Sequence, residues 1–274
     1  MDEKTSFEFK IEPPKHEHAS SKIQADTLFH FMNKLDYLLV VLKNKMLSPR
    51  YCEEDISYLE IPSLEKIAFP LKCFCDINLH RLGAHVSCYG CYGLAFSKNW
   101  GMENGIQPIH YINPESNLRK DFSEAFQLAL DSNPAEESQA QQSMQNYLLH
   151  ELMYSKPYQG EFKNRVTEEI EERCFTDECE WRFVPDVTVD GFEQVYYNEE
   201  IIKSNGLITY SNEMSGRENI SLKFTYNDLK YIIIKEESEF TTLTKLIDEL
   251  DLSPDEKYNL ISKIIIWEKA KGDF

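Results

Sequence analysis

Three familiar signatures are missing from this chain. It has no P-loop, no Gly-x-Gly-x-x-Gly and no Gly-x-Ser-x-Gly. The usual sequence marks of P-loop nucleotide hydrolysis, Rossmann dehydrogenases and serine hydrolases are therefore absent. No apolar run approaches the ~20 residues that a bilayer-spanning helix needs. The start, Met1-Asp2-Glu3-Lys4, is polar and lacks the apolar stretch of a signal peptide, so a cytoplasmic protein with no membrane contact is expected. Basic residues are scarce, 29 against 47 acidic ones, for a net charge of −18. Phosphate binding draws on clustered Lys and Arg, so this acidity argues against broad attraction to nucleic acid or anionic membrane. It leaves room for a local basic groove, and it suits a basic protein partner. Seven cysteines, an odd number in a chain without a secretion signal, argue against a disulfide framework. There is no internal repeat and no long flexible linker.

Aromatic residues are plentiful: 16 Phe, 15 Tyr and 3 Trp in 274 residues, which excludes disorder across the whole chain and leaves ample material for a core. Residues 1–25 are polar, carry Pro13-Pro14, and read as a mobile arm; residues 26–274 read as one folded domain. The body opens on a strand at Thr27–Phe31. A helix follows through Leu35, Leu38, Leu39 and Leu42, with Pro49 as its terminator. Residues 67–77 and 88–97 read as buried strands, and 106–112 as a short one. Leu118, Phe122, Phe126 and Leu130 keep helical spacing, and a second helix from about Glu136 carries Met144, Leu148 and Leu152. Residues 165–172 read as an acidic helix. Strands are expected at 180–184, 194–197, 220–224 and 231–234. Two closing helices, 241–250 and 254–267, follow, the second with Ser253-Pro254 as cap and first turn. The sum is a single α+β domain with a mixed or antiparallel sheet and flanking helices.

The chemistry concentrates in a few places. In Glu178-Cys179-Glu180-Trp181-Arg182, extended backbone would put both carboxylates on one side. Beside a sugar, one such carboxylate stabilises the oxocarbenium-like centre formed when a glycosidic C–N bond breaks. Glu180 would take that role, and Glu178 would orient or deprotonate the acceptor. The alternative is an edge strand with outward charges, one paired with Arg182. His30, between Phe29 and Phe31, faces away from the phenylalanines on a strand and can bond ribose hydroxyls; otherwise it is a half-buried histidine on a backbone carbonyl. Residues 89–97 offer glycines for close approach and Tyr92 or Phe96 for stacking, or else form a twisted core strand. Arg50, Arg81 and Lys98 are candidates for a pyrophosphate, or are solvated. Cys73-x-Cys75 and Cys88-x-x-Cys91 have four thiolates for tetrahedral zinc, but Cys73 and Cys75 sit in the apolar run 69–75 with one residue between them. Buried thiols are the preferred reading.

Several blocks, taken together, resemble the abortive-infection protein family AbiGi. They are Leu28-Phe29-His30-Phe31, Tyr51-Cys52-x-Glu54-Asp55-Ile56, Ile67-Ala68-Phe69-Pro70, Cys73-Phe74-Cys75-Asp76-Ile77, Tyr89-Gly90-x-Tyr92-Gly93-Leu94 and Ser97-Lys98-x-Trp100-Gly101. Lys156-Pro157-Tyr158-x-Gly160, Glu180-Trp181-Arg182-Phe183-Val184-Pro185 and the ending Asp273-Phe274 are similar to the same family. The likeness covers roughly residues 27–274. It implies phage defence in a two-gene system, with this protein as the antitoxin-like component beside a nucleotidyltransferase-like toxin.

A looser resemblance is to ADP-ribosyltransferases, whose His-Tyr-Glu pattern is similar to His30, the 89–97 strand and Glu180, with Glu178 completing a Glu-x-Glu. It implies an ADP-ribosyltransferase-like fold with NAD as substrate. One departure is Ala95, where those enzymes often carry Tyr or Ser, so stacking would fall to Tyr92 or Phe96. The leading expectation is a phage-defence protein that transfers ADP-ribose to an unnamed macromolecule. The alternatives are a non-catalytic antitoxin that binds a partner toxin, and a domain that senses a nucleotide signal without chemistry.

Overall fold

The computed structural model describes residues 25–132, 138–164, 166–197 and 206–273. Strand β1 (Thr27–Met32) leads into helix α1 (Leu35–Asn44), which ends where Lys45 turns left-handed at φ 51°. Strands β2 (Met46–Leu47), β3 (Arg50–Asp55) and β4 (Lys66–Cys75) follow. Helix α2 (Leu82–Tyr89), β5 (Tyr92–Ser97) and α3 (Lys98–Glu103) come next, then the short β6 (Gln107–Pro108) and β7 (His110–Ile112). An antiparallel helix pair, α4 (Asn117–Leu130) and α5 (Gln139–Met153), precedes β8 (Ser155–Pro157), β9 (Gln159–Lys163), β10 (Ile170–Cys174) and β11 (Glu180–Phe183). The chain finishes with α6 (Gly206–Glu213), β12 (Leu222–Lys223), β13 (Leu229–Ile234), α7 (Phe240–Glu249), α8 (Pro254–Ser262), β14 (Ile264–Ile266) and α9 (Trp267–Ala270).

The central sheet runs β14-β13-β5-β1-β4-β11-β6, with β3 also paired to β4. Every pairing in it is antiparallel except β13 with β14, so the α+β class with a mixed sheet is as expected. Side chains alternate across a strand, and the core obeys that period. Leu28 and Met32, Leu94 and Phe96, and Ile232 and Ile234 face one side, under Leu38 and Leu42 of α1, Trp100 of α3, Leu243 of α7 and Leu260 of α8. Phe29, Ala95 and Ile233 face the other, under Leu82 and Val86 of α2 and Trp267 of α9. Along the first half of β4, Ile67, Phe69 and Leu71 pack below the α4–α5 pair, while Ala68 meets Leu207 of α6. Each of the Leu, Ile, Phe and Met side chains among these contributes about 1.5–3 kcal/mol on full burial.

Four sequence expectations are corrected. Pro49 does not end α1; Lys45 does, which frees Met46–Leu47 to pair with Leu222–Lys223. The expected strand 88–97 begins as helix α2, and Gly90 breaks it. At φ 109° Gly90 lies against the backbone of Met32 and Asn33, where a Cβ would come within 2.4 Å of the Met32 carbonyl oxygen. A short apolar run has no length signal to separate a buried helix turn from a strand. In place of the acidic helix expected at 165–172, Ile170–Cys174 forms a strand paired with Gln159–Lys163, and Arg173 lies 4.6 Å over the Phe162 ring. The last helix stops at Ser262 because Ile264–Ile266 adds a parallel edge strand to β13.

The expected cap of the last long helix holds, whereas the strand expected at 220–224 is only Leu222–Lys223. Ser253 caps α8, with Pro254 at the first turn and Glu256 closing a capping box. Of the expected strand 194–197 only a bridge from Tyr196 to Ala68 forms. The polar arm expected over 1–25 lies outside the described residues except for Ala25, which is buried. The start expected for α5 near Glu136 also lies outside them.

Candidate functional site

β4 uses two partners in succession: β3 opposite residues 66–71 and β1 opposite Cys75. Between these stretches the Cys73 carbonyl is met by Nδ1 of His30 at 2.9 Å. Where the two partners part, a cavity of about 790 Å³ opens, with the β9–β10 hairpin across it. His30, Arg50, Glu178 and Glu180 all line it. His30 is thus buried on a backbone carbonyl and also faces a cavity, with its ring 5.6 Å from Phe74.

Glu178 and Glu180 converge, but not by the extended backbone that their spacing suggests. Glu178 ends a short 3-10 turn, Cys179 is left-handed at φ 43°, and Glu180 opens β11. β11 is no edge strand either; it lies between β4 and β6. The carboxylates meet at one ammonium. Lys156 Nζ, held on β8, donates to Glu178 Oε2 at 2.8 Å and to Glu180 Oε2 at 3.3 Å. Arg182, fully buried two residues along β11, donates through Nε to Glu180 Oε1 at 2.7 Å, through Nη1 to the Met153 carbonyl at 2.8 Å, and pairs with Glu54 at 3.2 Å. Tyr89 donates its hydroxyl to Glu178 Oε1 at 2.5 Å, and Arg173 approaches the same oxygen at 3.5 Å. The Glu180 amide donates to the Tyr111 hydroxyl at 2.8 Å.

Three carboxylates (Glu54, Glu178, Glu180) therefore face three cations (Lys156, Arg173, Arg182) in a mostly buried network. Burial alone would raise the Glu180 carboxyl, but Arg182 and Lys156 outweigh it and hold the group well below the usual carboxylate range. Burial works against the Lys156 charge too, and Glu180, Glu178 and Glu54 overcome it, so its pKa lies above that of an ordinary lysine. The Tyr89 hydroxyl is pushed up by burial and by Glu178 beside it, and stays protonated. As a unit the network carries fixed, paired charge.

The remaining candidates lie elsewhere. Phe96 is fully buried in the core, stacked at 4.3 Å on Trp100, because its strand position faces α1 and α3. Tyr92 donates to Glu239 at 2.5 Å and borders a separate, smaller cavity beside Trp267. Arg81 is exposed on the 3-10 turn before α2, and Lys98 pairs with Asp76 at 2.7 Å. None of these four lines the cavity that holds Glu180. Cys75 is buried under α2, Cys73 packs on the other side with the α4–α5 cluster, and Cys88 lies 3.9 Å from a Glu171 oxygen. Among the described residues no three His, Cys, Asp or Glu side chains converge to hold a metal.

Sequence reasoning gave no role to Lys156, Arg173, Glu54 or Tyr58, all but Arg173 lining this cavity. Periodicity could not mark them, since each comes from a different element. The signal that was available is the family resemblance, because Glu54, Tyr89, Lys156 and Arg182 all stand inside its blocks.

Comparison with known proteins follows the same blocks. A family model described as "abortive phage resistance protein AbiGi, antitoxin" matches residues 44–235. The abortive phage resistance protein AbiGi of Lactococcus lactis subsp. cremoris is 30% identical over 246 aligned residues, covering 82% of this chain and 98% of that protein. No solved structure matches the chain.

Proposed function

On the premise that the chain belongs to the AbiGi family of abortive phage resistance proteins, we propose that it acts as an antitoxin, binding and neutralising a partner toxin rather than turning over a substrate. The observation that carries this reading is the state of its best catalytic candidates. Glu180 is already paired with Arg182 and Lys156, and Glu178 with Lys156 and Arg173 while accepting a hydrogen bond from the Tyr89 hydroxyl. A carboxylate that stabilises a developing cation must be more strongly engaged in the transition state than before it. A buried ion pair has spent that capacity. A net charge of −18 gives long-range attraction to a basic toxin surface and fast, salt-sensitive association. No helix among the described residues is long and apolar enough to cross a membrane. The test is co-expression with the protein encoded beside it: the two should co-elute, and association should slow as salt rises. A neighbour that elutes alone at low salt would refute the reading.

A second reading keeps NAD as substrate, because His30, Arg50, Glu178 and Glu180 share one cavity. The bond from ribose C1′ to nicotinamide would break, nicotinamide would leave, and an acceptor nucleophile would take C1′ and lose its proton. Lys156 and Arg182 would have to yield Glu180 to the ribose. Released nicotinamide from the wild type, lost in a folded Glu180→Gln variant, would favour this reading over the first.

A further inference from the structure

We infer that the cavity between β1, β3 and the β9–β10 hairpin is a nucleotide-binding site. One side of its lining is a row of rings. Phe31 and His85 lie 5.3 Å apart, His85 stacks on Tyr89 at 4.4 Å, and Tyr89 meets Phe162 at 5.5 Å. Arg173 backs that row, 4.6 Å over the Phe162 ring, so it is fixed in place. A row of rings open to a cavity is a surface on which a planar base stacks.

The polar lining carries the rest of the recognition. Glu54 and Glu180 are held by Arg182 and leave lone pairs for ribose hydroxyls. The Tyr58 hydroxyl oxygen is fully buried, has no hydrogen-bond partner among the described residues, and belongs to a residue of the cavity lining close to the Glu54, Arg182 and Lys156 charges. A buried hydroxyl left unpaired is unfavourable, and a ligand hydroxyl or phosphate oxygen that reaches that point relieves it. Arg50 and Lys163 also line the cavity, and neither side chain pairs with another described residue. They are free to meet a phosphate.

The charge balance agrees with this. Within a chain of 29 basic and 47 acidic residues, the cavity is lined by five basic and six acidic ones, so its cations nearly offset its carboxylates. Its volume of about 790 Å³ lies within the roughly 300–1,000 Å³ of small-molecule sites. Stacking face, hydroxyl acceptors and free cations together fit a base, a ribose and a phosphate. The site shares its cavity with the NAD reading, but it requires no bond to be broken, and it is independent of toxin binding.

The test is calorimetry on the full chain with ADP and with NAD, with adenosine and inorganic phosphate as controls and nicotinamide release followed in parallel. ADP or NAD should bind saturably at one site and more tightly than either control. Tyr58→Phe should weaken that binding roughly 2- to 10-fold, and Arg50→Ala, an exposed position that leaves the fold intact, by about 5- to 10-fold. Binding without nicotinamide release supports the site and counts against NAD turnover; binding with release supports both. No saturable binding of either nucleotide overturns the proposal. So does inorganic phosphate binding as tightly as ADP, or unchanged affinity in both variants.

Discussion

Replacing Glu180 by Gln tests whether the carboxylate is part of the scaffold. In the wild type, Glu54, Glu178 and Glu180 balance Lys156, Arg173 and Arg182, and Arg182 has no exposed surface at all. Glutamine is isosteric and can still accept from Arg182 Nε, so the hydrogen bond survives while the charge is lost. The cavity wall is then left with three cations against two carboxylates. Removing one partner of a buried pair destabilises by about 3–5 kcal/mol, and the retained hydrogen bond places this change near the lower figure. For a chain of this size each kcal/mol lowers the melting temperature by about 2–4 °C, so a drop of about 6–12 °C is expected. Differential scanning calorimetry reads it directly. Adding Lys156→Met restores charge balance, and the double variant should recover at least ~1 kcal/mol relative to the sum of the single changes. A melting temperature within about 1 °C of wild type, or strict additivity in the double variant, would refute the argument. The result also governs how enzymatic assays are read, since lost turnover in an unfolded Glu180→Gln protein says nothing about catalysis.

The same carboxylate sets an acid limit. Its folded pKa lies below its unfolded one, so the stability it contributes is fully present above the ordinary carboxylate value and drains away as pH falls through the folded pKa. Urea midpoints measured down through that acid window should fall more steeply in the wild type than in Glu180→Gln; parallel curves would be evidence against it. Gly90→Ala places a Cβ 2.4 Å from the Met32 carbonyl oxygen at a φ of 109°, and should destabilise by about 2 kcal/mol or more in the same denaturation assay, whereas Gly83→Ala in α2, with open space around it, should be neutral or slightly stabilising. Ser253→Ala removes the cap of α8 and the capping box with Glu256, with an expected loss of about 1 kcal/mol by thermal melting and none if the helix end is already frayed.

Composition and periodicity alone determined the α+β class, the helix Asn117–Leu130, the cap at Ser253 and the strands 27–32 and 229–234 within a residue or two. Each of these is a local matter of side-chain period or of a backbone end that needs a partner, and the sequence holds it in consecutive residues. The family was legible as well, since its blocks are strings. Tertiary structure decided what those strings do together. Glu178 and Glu180 sit two apart in sequence, yet a left-handed Cys179 rather than an extended strand brings them to one ammonium. That ammonium belongs to Lys156, and the charges around it come from β3, β10 and β11. Phe96 and Tyr92 lie on one face of the strand expected to offer stacking, but that face packs under the helices, so Phe96 is in the core and Tyr92, at the cluster's edge, gives its hydroxyl to Glu239. Pairing of charges across distant elements, and the choice of which strand face meets a cavity, depend on how the elements pack. No spacing along the chain encodes them.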